Sequence, residues 1–253
     1  IRVDSENVLE EAYFMKGNIM EGQCCLFYPN GGIKGEMFYL QGQLHGPSTF
    51  YSEEGKLLAK SWYLFGDKVG KTWQYYLEGK LYSCQRFIQG QWNGLQEYYY
   101  EDGTTKTLMN YQGGWLDGKT LLYHKDGVLK REVNFVKGKR HGMERHWNEK
   151  GIMIVENEYQ NDQTCGTTKR WFDCGALSEE SNYYDPPKRC DTKNYSREGI
   201  LTIEGKYDKQ DRYSYKEWSD EGYLLKEKSG YWNGDSLVIE EEKNSKVLES
   251  ATL

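Results

Sequence analysis

The chain has 253 residues, a length that usually corresponds to one or two globular domains. Aromatic residues make up 15% of it, with 22 Tyr and 8 Trp, and this argues against a disordered chain. The net charge of −6 excludes a general attraction for nucleic acid, and no apolar run approaches the ~20 residues of a membrane helix. Since Gly is frequent and Pro is rare, the composition favours strands separated by glycine turns.

The sequence repeats at a step of 24 residues, and glycine marks the step most clearly. One series comprises Gly31, Gly55, Gly79, Gly103, Gly127, Gly151, Gly175 and Gly199. A second series comprises Gly22, Gly46, Gly70, Gly94, Gly118, Gly142 and Gly166. A third series comprises Gly42, Gly66, Gly90, Gly114 and Gly138, and it returns at Gly234. Such a fixed period predicts a repeat architecture that fills most of the chain.

Two aromatic rows and one mostly aliphatic row keep the same step. The first aromatic row is Tyr39, Tyr63, Phe87, Tyr111, Phe135, Tyr159, Tyr183, Tyr207 and Tyr231. The second aromatic row is Phe27, Tyr51, Tyr75, Tyr99, Tyr123, Trp147, Trp171 and Tyr195. The aliphatic row is Ile33, Leu57, Leu81, Leu129, Met153, Leu177 and Leu201, with Thr105 as its exception.

The spacing within one repeat predicts a β-hairpin. Gly66–Gly70 is predicted to be a five-residue loop bounded by glycines, followed by a strand from Lys71 to Tyr76. A three-residue turn ending at Gly79 fits a type I turn with a bulge, and Lys80–Gln89 is predicted to be the returning strand. The predicted fold class is therefore all-β, an elongated single-layer antiparallel sheet of about nine tandem β-hairpin repeats.

The parity of the two predicted loops decides which side chains share a face. A five-residue loop would place Tyr63 opposite Trp73, and a three-residue turn would place Tyr75 opposite Leu81. Because both loops have an odd length, the sequence predicts that the two aromatic rows and the aliphatic row lie on one common, buried face.

The array is predicted to cover residues 13–234 and to become irregular from about residue 183. Pro186-Pro187 is expected to interrupt the eighth hairpin, since proline does not fit a regular strand. Residues 1–12 are predicted to be an N-terminal cap, and residues 235–253 an acidic C-terminal cap or tail, as the ends of a repeat array require.

These repeats resemble the MORN-repeat variant family. The pattern G-x-x-x-G, then an aromatic residue, then a glycine-ended turn occurs at Gly66, Gly70, Tyr75 and Gly79. The resemblance implies a twisted sheet of successive hairpins that serves as a scaffold or binds partners, with lipid contacts in some members and an antitoxin label in some bacterial ones. A second, weaker resemblance is to choline-binding cell-wall repeats, which have shorter units without the double-glycine link.

No catalytic site is predicted, and the chain is expected not to be an enzyme. His45, Val69 and His141 occupy the same position in different repeats. A position that accepts valine as well as histidine indicates a loop rather than a catalytic site. His141 and His146 have no recognised metal-ligand spacing, so no metal and no cofactor are predicted. The six cysteines favour free thiols in the cytoplasm. The chain begins at Ile1 without Met, so export after signal removal is the alternative.

Two groups of residues are the predicted binding sites. Tyr76, Tyr98 and Tyr100 are expected to gather on the outer face, with Trp92 and Trp115 on successive loops, as anchors for a partner. A basic stretch between residues 125 and 150 is the candidate anion patch. Its residues are Lys137, Lys139, Arg140 and Arg145.

The sequence therefore predicts a non-catalytic scaffold for protein–protein interaction, without nucleic acid as a partner. Glycan or cell-wall binding through the aromatic residues is one alternative, and peripheral membrane association through the basic patch is another. Open edge strands at the ends of the array further predict an end-to-end homodimer.

Overall fold

The computed structural model describes residues 1–5, 8–185, 189–208 and 210–244, and all its regular elements are β-strands. In these ranges there is no helix long and apolar enough to cross a membrane. The chain divides into two compact units, unit 1 (Ile1–Gly127) and unit 2 (Val128–Leu253). The predicted interruption at Pro186-Pro187 lies outside the described residues.

Unit 1 is a single antiparallel layer in which each strand pairs with the next, except that β9 and β10 both pair with β8. Its strands are β1 (Arg2–Val3), β2 (Leu9–Lys16), β3 (Ile19–Phe27), β4 (Ile33–Leu40), β5 (Gln43–Tyr51), β6 (Leu57–Leu64), β7 (Asp67–Tyr75), β8 (Leu81–Ile88), β9 (Gln91–Trp92), β10 (Gly94–Tyr99), β11 (Thr105–Gln112) and β12 (Trp115–Tyr123).

Unit 2 repeats this arrangement, again with antiparallel pairing between consecutive strands. Its strands are β13 (Leu129–Val136), β14 (Lys139–Trp147), β15 (Met153–Gln160), β16 (Gln163–Trp171), β17 (Leu177–Asp185), β18 (Arg189–Tyr195), β19 (Leu201–Tyr207), β20 (Arg212–Trp218), β21 (Leu224–Trp232) and β22 (Leu237–Asn244). The predicted all-β, antiparallel hairpin class is confirmed. Pairing also includes β1, β2 and β22, which reach into the segments predicted to be caps.

The three-residue turns form as predicted. At the turn after β7, the Tyr76 amide donates to the Lys80 carbonyl over 2.8 Å, and the Gly79 amide donates to the Tyr76 carbonyl over 2.8 Å. Gly79 has a φ of 84°, which glycine adopts without a Cβ clash. Tyr75 lies opposite Leu81, so the predicted register across this turn is confirmed.

The predicted five-residue loop is wrong, because only one of its two bounding glycines lies in the turn, while the other lies in the following strand. Leu64 lies directly opposite Asp67, so only Phe65 and Gly66 form the turn. Their φ values of 49° and 89° are those of a two-residue type I′ turn. Gly70, with a φ of 67°, belongs to β7, where the register against β6 shifts at a bulge.

This bulge changes which residues meet across the hairpin. Trp73 lies opposite Lys60, and Tyr63 lies opposite Lys68, so the predicted Tyr63–Trp73 pair does not form. Because side chains alternate along a strand, a shift of this kind moves a row from one face to the other.

The two faces of unit 1 follow from the register of β7 and β8. Thr72 lies opposite Gln85 on one side, which we call the front face. Trp73 lies opposite Cys84 on the other side, which we call the reverse face.

The two aromatic rows are on opposite faces of this hairpin. Phe87 lies opposite Gly70, two residues from Thr72, and is therefore on the front face. Tyr75, two residues from Trp73, is on the reverse face together with Leu81. The predicted common buried face is therefore wrong, and each side of the layer carries one aromatic row.

A row of mostly polar side chains occupies the buried centre of the front face. It runs from strand to strand through cross-strand pairs such as Ser48–Ser61, Thr72–Gln85 and Gln96–Met109. Its buried members in unit 1 are Cys24, Met37, Ser48, Ser61, Thr72, Gln85, Gln96 and Thr120. A single layer thus has little deep apolar interior, as its low apolar fraction requires.

Successive hairpins are also joined at both ends of their strands. At the type I′ turns, the Gly66 amide donates to the Leu44 carbonyl over 2.8 Å, and the Gly90 amide donates to the Lys68 carbonyl over 2.9 Å. At the opposite ends, the Tyr76 hydroxyl donates to the carbonyl of Tyr99 over 2.8 Å. These bonds fix the position of each repeat on the next.

Candidate interaction surfaces

Three tyrosine rings pack edge to face on the front face of unit 1. The ring centroids of Tyr76 and Tyr82 are 5.2 Å apart, and those of Tyr82 and Tyr98 are 5.9 Å apart. The interplanar angles of 80° and 78° are those of favourable T-shaped aromatic pairs. We call these three residues the tyrosine cluster.

Hydrogen bonds hold the cluster and its neighbours in place. Gln85 donates from Nε2 to the Tyr98 hydroxyl over 2.8 Å, and burial raises the pKa of Tyr98. The Tyr100 hydroxyl donates to the carbonyl of Tyr123 over 2.8 Å, while Lys106 Nζ lies 5.5 Å from the Tyr100 ring centre. The structure therefore brings Tyr76 and Tyr98 into one cluster, and Tyr100 forms the equivalent link one repeat later.

The two predicted tryptophan anchors lie in strands rather than on loops, and they are on different faces. Trp92 is in β9, and its ring makes a T-shaped contact with Tyr111 on the front face, at 4.9 Å between centroids. Trp115 begins β12 opposite Gln112, on the reverse face, and is 65% exposed. The five predicted partner-binding residues therefore do not form one continuous patch.

The four cations of the predicted anion patch are likewise spread over unit 2. Arg140 Nε lies 3.2 Å from Asp162 Oδ1, and its guanidinium is 4.0 Å from the ring centre of Tyr159. Arg145 Nε lies 2.7 Å from Glu156 Oε2. Arg140 lies on the same side of the sheet as Glu144, with which it pairs. Arg145 directly follows Glu144 in β14 and therefore points to the opposite side.

Lys137 and Lys139 belong to the hairpin end that precedes these two arginines. Lys137 has a φ of 49° and forms the type I′ turn, and Lys139 lies opposite Val136 at the start of β14. The structure thus places the four predicted cations in a turn and on two faces.

A buried carboxylate organises one side of unit 2. Glu144 is 3% exposed, and its oxygens lie 2.6 Å from His146 Nε2, 2.8 Å from Arg131 and 3.4 Å from Arg140. Burial alone raises the pKa of Glu144, but the His146 hydrogen bond and the arginine charges outweigh burial and lower the pKa overall. We call these four residues the Glu144 cluster. It holds β13 to β14 electrostatically.

The other side of unit 2 carries charges of alternating sign from strand to strand. Each member lies directly opposite the next across successive strands. The members are Glu132, Arg145, Glu156, Lys169, Glu180, Lys193, Glu204, Lys216, Glu227 and Lys243. We call this row the charge ladder. Lys169 Nζ lies 3.2 Å from Glu180 Oε1 within it, and opposite charges in such pairs favour this register.

Groups able to perform chemistry are scattered. The described ranges contain no group of three or more His, Cys, Asp or Glu residues that could hold a metal ion. His45 and His141 lie in β5 and β14, not in loops, and the His45 ring packs against Phe65 at 4.7 Å. The six cysteines are free, and burial raises the pKa of Cys24 and Cys84, which makes their thiolates less available.

The geometry defines a class of protein, the tandem β-hairpin repeat protein. The family model of the MORN repeat variant matches residues 20–41, 44–63, 92–112 and 116–137. The chain therefore contains repeats of the MORN repeat variant family, and the resemblance predicted from sequence is confirmed. MORN repeats are in general non-catalytic scaffold repeats that bind proteins or membranes. No curated protein matches the chain.

Three solved structures to which the chain is similar are distant from it. The Photorhabdus luminescens Tc holotoxin pore is 12% identical with a TM-score of 0.21, covering 90% of this chain and 14% of that one. A TcdB2–TccC3 structure without its hypervariable C-terminal region is 13% identical with a TM-score of 0.21, covering 85% and 14%. A protein with unknown function from Bacteroides fragilis NCTC 9343 is 10% identical with a TM-score of 0.16, covering 81% and 96%. At such TM-scores these likenesses carry no argument, and the chain spans about 14% of the length of each of the first two chains.

Proposed function

We propose that the chain is a non-catalytic repeat scaffold that binds a protein partner through the front face of unit 1. The tyrosine cluster is the observation that carries this proposal. Tyrosine is enriched at the anchor points of protein interfaces, because its ring contributes a large contact area and its hydroxyl a hydrogen bond. Rings already fixed by T-shaped contacts and by the Gln85 hydrogen bond lose little further freedom when a partner binds.

The proposed contact surface centres on Tyr76 and Tyr98, with Tyr100 two residues after Tyr98 and Trp92 on the same face. Trp115 is on the reverse face, so it contributes only where a partner also covers the hairpin end beside it. A protein partner can follow such a surface across several strands, whereas a small ligand needs a concave pocket.

Two observations favour protein over the alternative ligands. Sugars stack on open ring faces, but in the tyrosine cluster the edge of one ring meets the face of the next. A membrane surface needs cations on one side, but Arg140 and Arg145 point to opposite sides and each has a carboxylate partner. Glycan and membrane binding stay predictions. The free cysteines support the proposed cytoplasmic location, with export as the alternative.

The proposal is tested by retention of partner proteins on the immobilised chain. Tyr98→Ala with Tyr100→Ala should reduce retention of the specific partner about tenfold or more, as loss of interface anchors does. Tyr98→Phe retains the ring and should retain most of the binding. The matched control is Tyr223→Ala, at an exposed turn of unit 2. Equal retention by all variants, or enzymatic turnover by the purified chain, would contradict the proposal.

A further inference from the structure

The charge ladder of unit 2 is complementary to itself. It begins with the acid Glu132 and ends with the base Lys243, and the sign changes at every step between them. Such a row has opposite signs when it is followed from its two ends. When a second copy faces the ladder in the reversed order, every acidic member therefore meets a basic one.

The fold does not require alternating charges at this position. In unit 1 the row formed by the same kind of cross-strand pairs is mostly neutral, with pairs such as Trp73–Cys84 and Leu108–Leu121. Its members are Ala12, Cys25, Glu36, Thr49, Lys60, Trp73, Cys84, Glu97, Leu108 and Leu121. The strict alternation in unit 2 therefore exceeds what the pairing of hairpins needs.

The midpoint of the ladder lies between β17 and β18, at Glu180 and Lys193. Glu180 lies opposite Lys193 in the sheet, but its carboxylate pairs with Lys169 at 3.2 Å. In the part of unit 2 that the structure describes, Lys193 forms no ion pair. The midpoint also has a groove of about 270 Å³, lined by Thr167, Glu180, Asn182, Asp191 and Lys193. This part of the ladder therefore has a cation without a carboxylate partner and room for side chains of another chain.

We propose that the ladder side of unit 2 binds the same side of a second copy of the chain, with a two-fold axis parallel to the strands between β17 and β18. Glu180 of each copy then faces the partner's Lys193, and the members farther from the axis are matched in the same way. A rotation about this axis preserves the hand of the sheet twist and leaves the two layers evenly spaced, so contact extends along the ladder. The inference is independent of the proposed function, which concerns unit 1.

The further charges on one flank of the ladder meet neutral side chains in this arrangement. They belong to strand residues in the two rows that follow the ladder on that flank, and alternation along each strand puts them on the ladder side. The facing pairs are Asp191 with Asn182, Lys206 with Thr167, Glu158 with Ser214, Glu241 with Asn134, Arg189 with Tyr184, Arg212 with Gln160 and Lys139 with Tyr231. No like charges meet in these rows, so they do not oppose the pairing of the ladders.

Aromatic side chains supply apolar contact on the other flank. Each follows a basic ladder member by two residues and therefore lies on the ladder side, and each is half-buried; they are Trp147, Trp171, Tyr195 and Trp218. From β13 to β22 the ladder is about 43 Å long at about 4.8 Å per strand. With a width of about 20 Å for the ladder and its flanks, each copy contributes about 850 Å², close to the ~800 Å² of stable protein interfaces.

A charge-swap experiment on the full chain tests this arrangement. Sedimentation equilibrium compares the wild type with Glu180→Lys and with Lys193→Glu. Each substitution puts like charges across the axis twice and should weaken dimerisation about tenfold or more. An equimolar mixture of the two variants should restore the dimer, because the two changed positions then face each other with opposite charges. The matched control Lys150→Glu, at an exposed turn of unit 2, should dimerise as the wild type does.

The mixture separates a specific contact from a general loss of structure, which would weaken the single variants and the mixture alike. Circular dichroism confirms that each variant retains its strands. A wild type that stays monomeric, a mixture that stays monomeric, or a dimer that neither substitution weakens would overturn the inference. A dimer joined through the end strands gives the last of these results. Tyr98→Ala with Tyr100→Ala should leave dimerisation unchanged, so failure of the proposed partner binding does not affect this test.

Discussion

Glu144 is a buried carboxylate, in an environment far from the water that surrounds an exposed glutamate. Its carboxylate is buried in a single-layer sheet, where the partially exposed Arg131, Arg140 and His146 surround it. Removing the negative charge while leaving the cations should therefore cost stability rather than relieve it.

Glu144→Gln is expected to lower the free energy of unfolding by about 1.5–3 kcal/mol, the range for losing hydrogen bonds to charged groups. Urea denaturation followed by circular dichroism measures this. Glu149→Gln, at an exposed turn of the same unit, is the matched control and should change stability little. Equal effects of the two substitutions would show that the Glu144 cluster contributes nothing.

The same residue gives a pH dependence with a definite sign. Because the pKa of Glu144 is lower in the folded chain than its ordinary value of 4.5, its contribution is fully present above pH 4.5. The contribution is lost as the pH falls through the lowered pKa. The stability difference between the wild type and Glu144→Gln should therefore be constant at neutral pH and shrink below about pH 4.5. A difference that grows on acidification would contradict this assignment.

At the scale of the element, the type I′ turn decides how each hairpin folds. Gly66 has a φ of 89°, and a Cβ added there would meet no atom within 4 Å. Any cost of a substitution at Gly66 therefore reports the backbone conformation alone.

Gly66→Ala should destabilise the chain by about 1–2 kcal/mol, the cost of a left-handed conformation for an L-residue. Gly66→Asn should cost less, because asparagine tolerates this region of φ. Thermal or urea unfolding of the pair measures the difference. If Ala and Asn behave alike, the turn is not type I′.

The three-residue turns could be predicted from the sequence, but the pairing at the other end of each hairpin could not. Glu101-Asp102-Gly103 has the residue types of a glycine-ended turn, and Gly79 occupies the position of Gly103 in the preceding repeat. The sequence therefore predicts the strand register across the Gly79 turn correctly. Phe65 adopts a positive φ, which its residue type does not predict. Gly70 has the spacing of a loop boundary in the sequence, but in the structure it forms a bulge. One missed bulge moved a whole aromatic row to the wrong face.

The candidate site could also be predicted only in part from the sequence. Tyr76, Tyr98 and Tyr100 could be found from their column, whereas Tyr82 was missed because it lies where β8 bulges against β7. The charge ladder was missed because its pairs appear only once the register is known. Alternating steps of 13 and 11 residues, as from Glu132 to Arg145 to Glu156, were the available signal.

The charge ladder should stabilise unit 2 through pairs that act across strands. Reversing Glu180 to Lys is expected to cost about 0.5–1 kcal/mol through like charges beside Lys169, and Lys169→Glu in the same chain should recover part of this. A double-mutant cycle at low salt measures the coupling. No coupling, or coupling that does not weaken at high salt, would argue against an electrostatic ladder.

At the scale of the whole molecule, the exposed ends of the sheet bear on self-association. β1 pairs with β2 only through Arg2 and Val3, which leaves much of β2 as an open edge. β22 carries Glu240, Glu241 and Glu242, and charged side chains on an edge strand disfavour pairing with another sheet.

The end-to-end homodimer therefore stays a prediction that involves the β2 edge. Sedimentation equilibrium over a range of concentrations should detect twice the chain mass of 29.7 kDa at high concentration. A chain that stays monomeric throughout would contradict the prediction.

The central claim for the whole chain is that a type I′ turn followed by a bulge decides which side chains share a face. The proposed binding surface on the front face depends on which side chains share that face. Nuclear Overhauser contacts between backbone protons test it most directly. The account predicts a contact between Lys60 and Trp73, and a contact between Tyr63 and Trp73 in its place would contradict it.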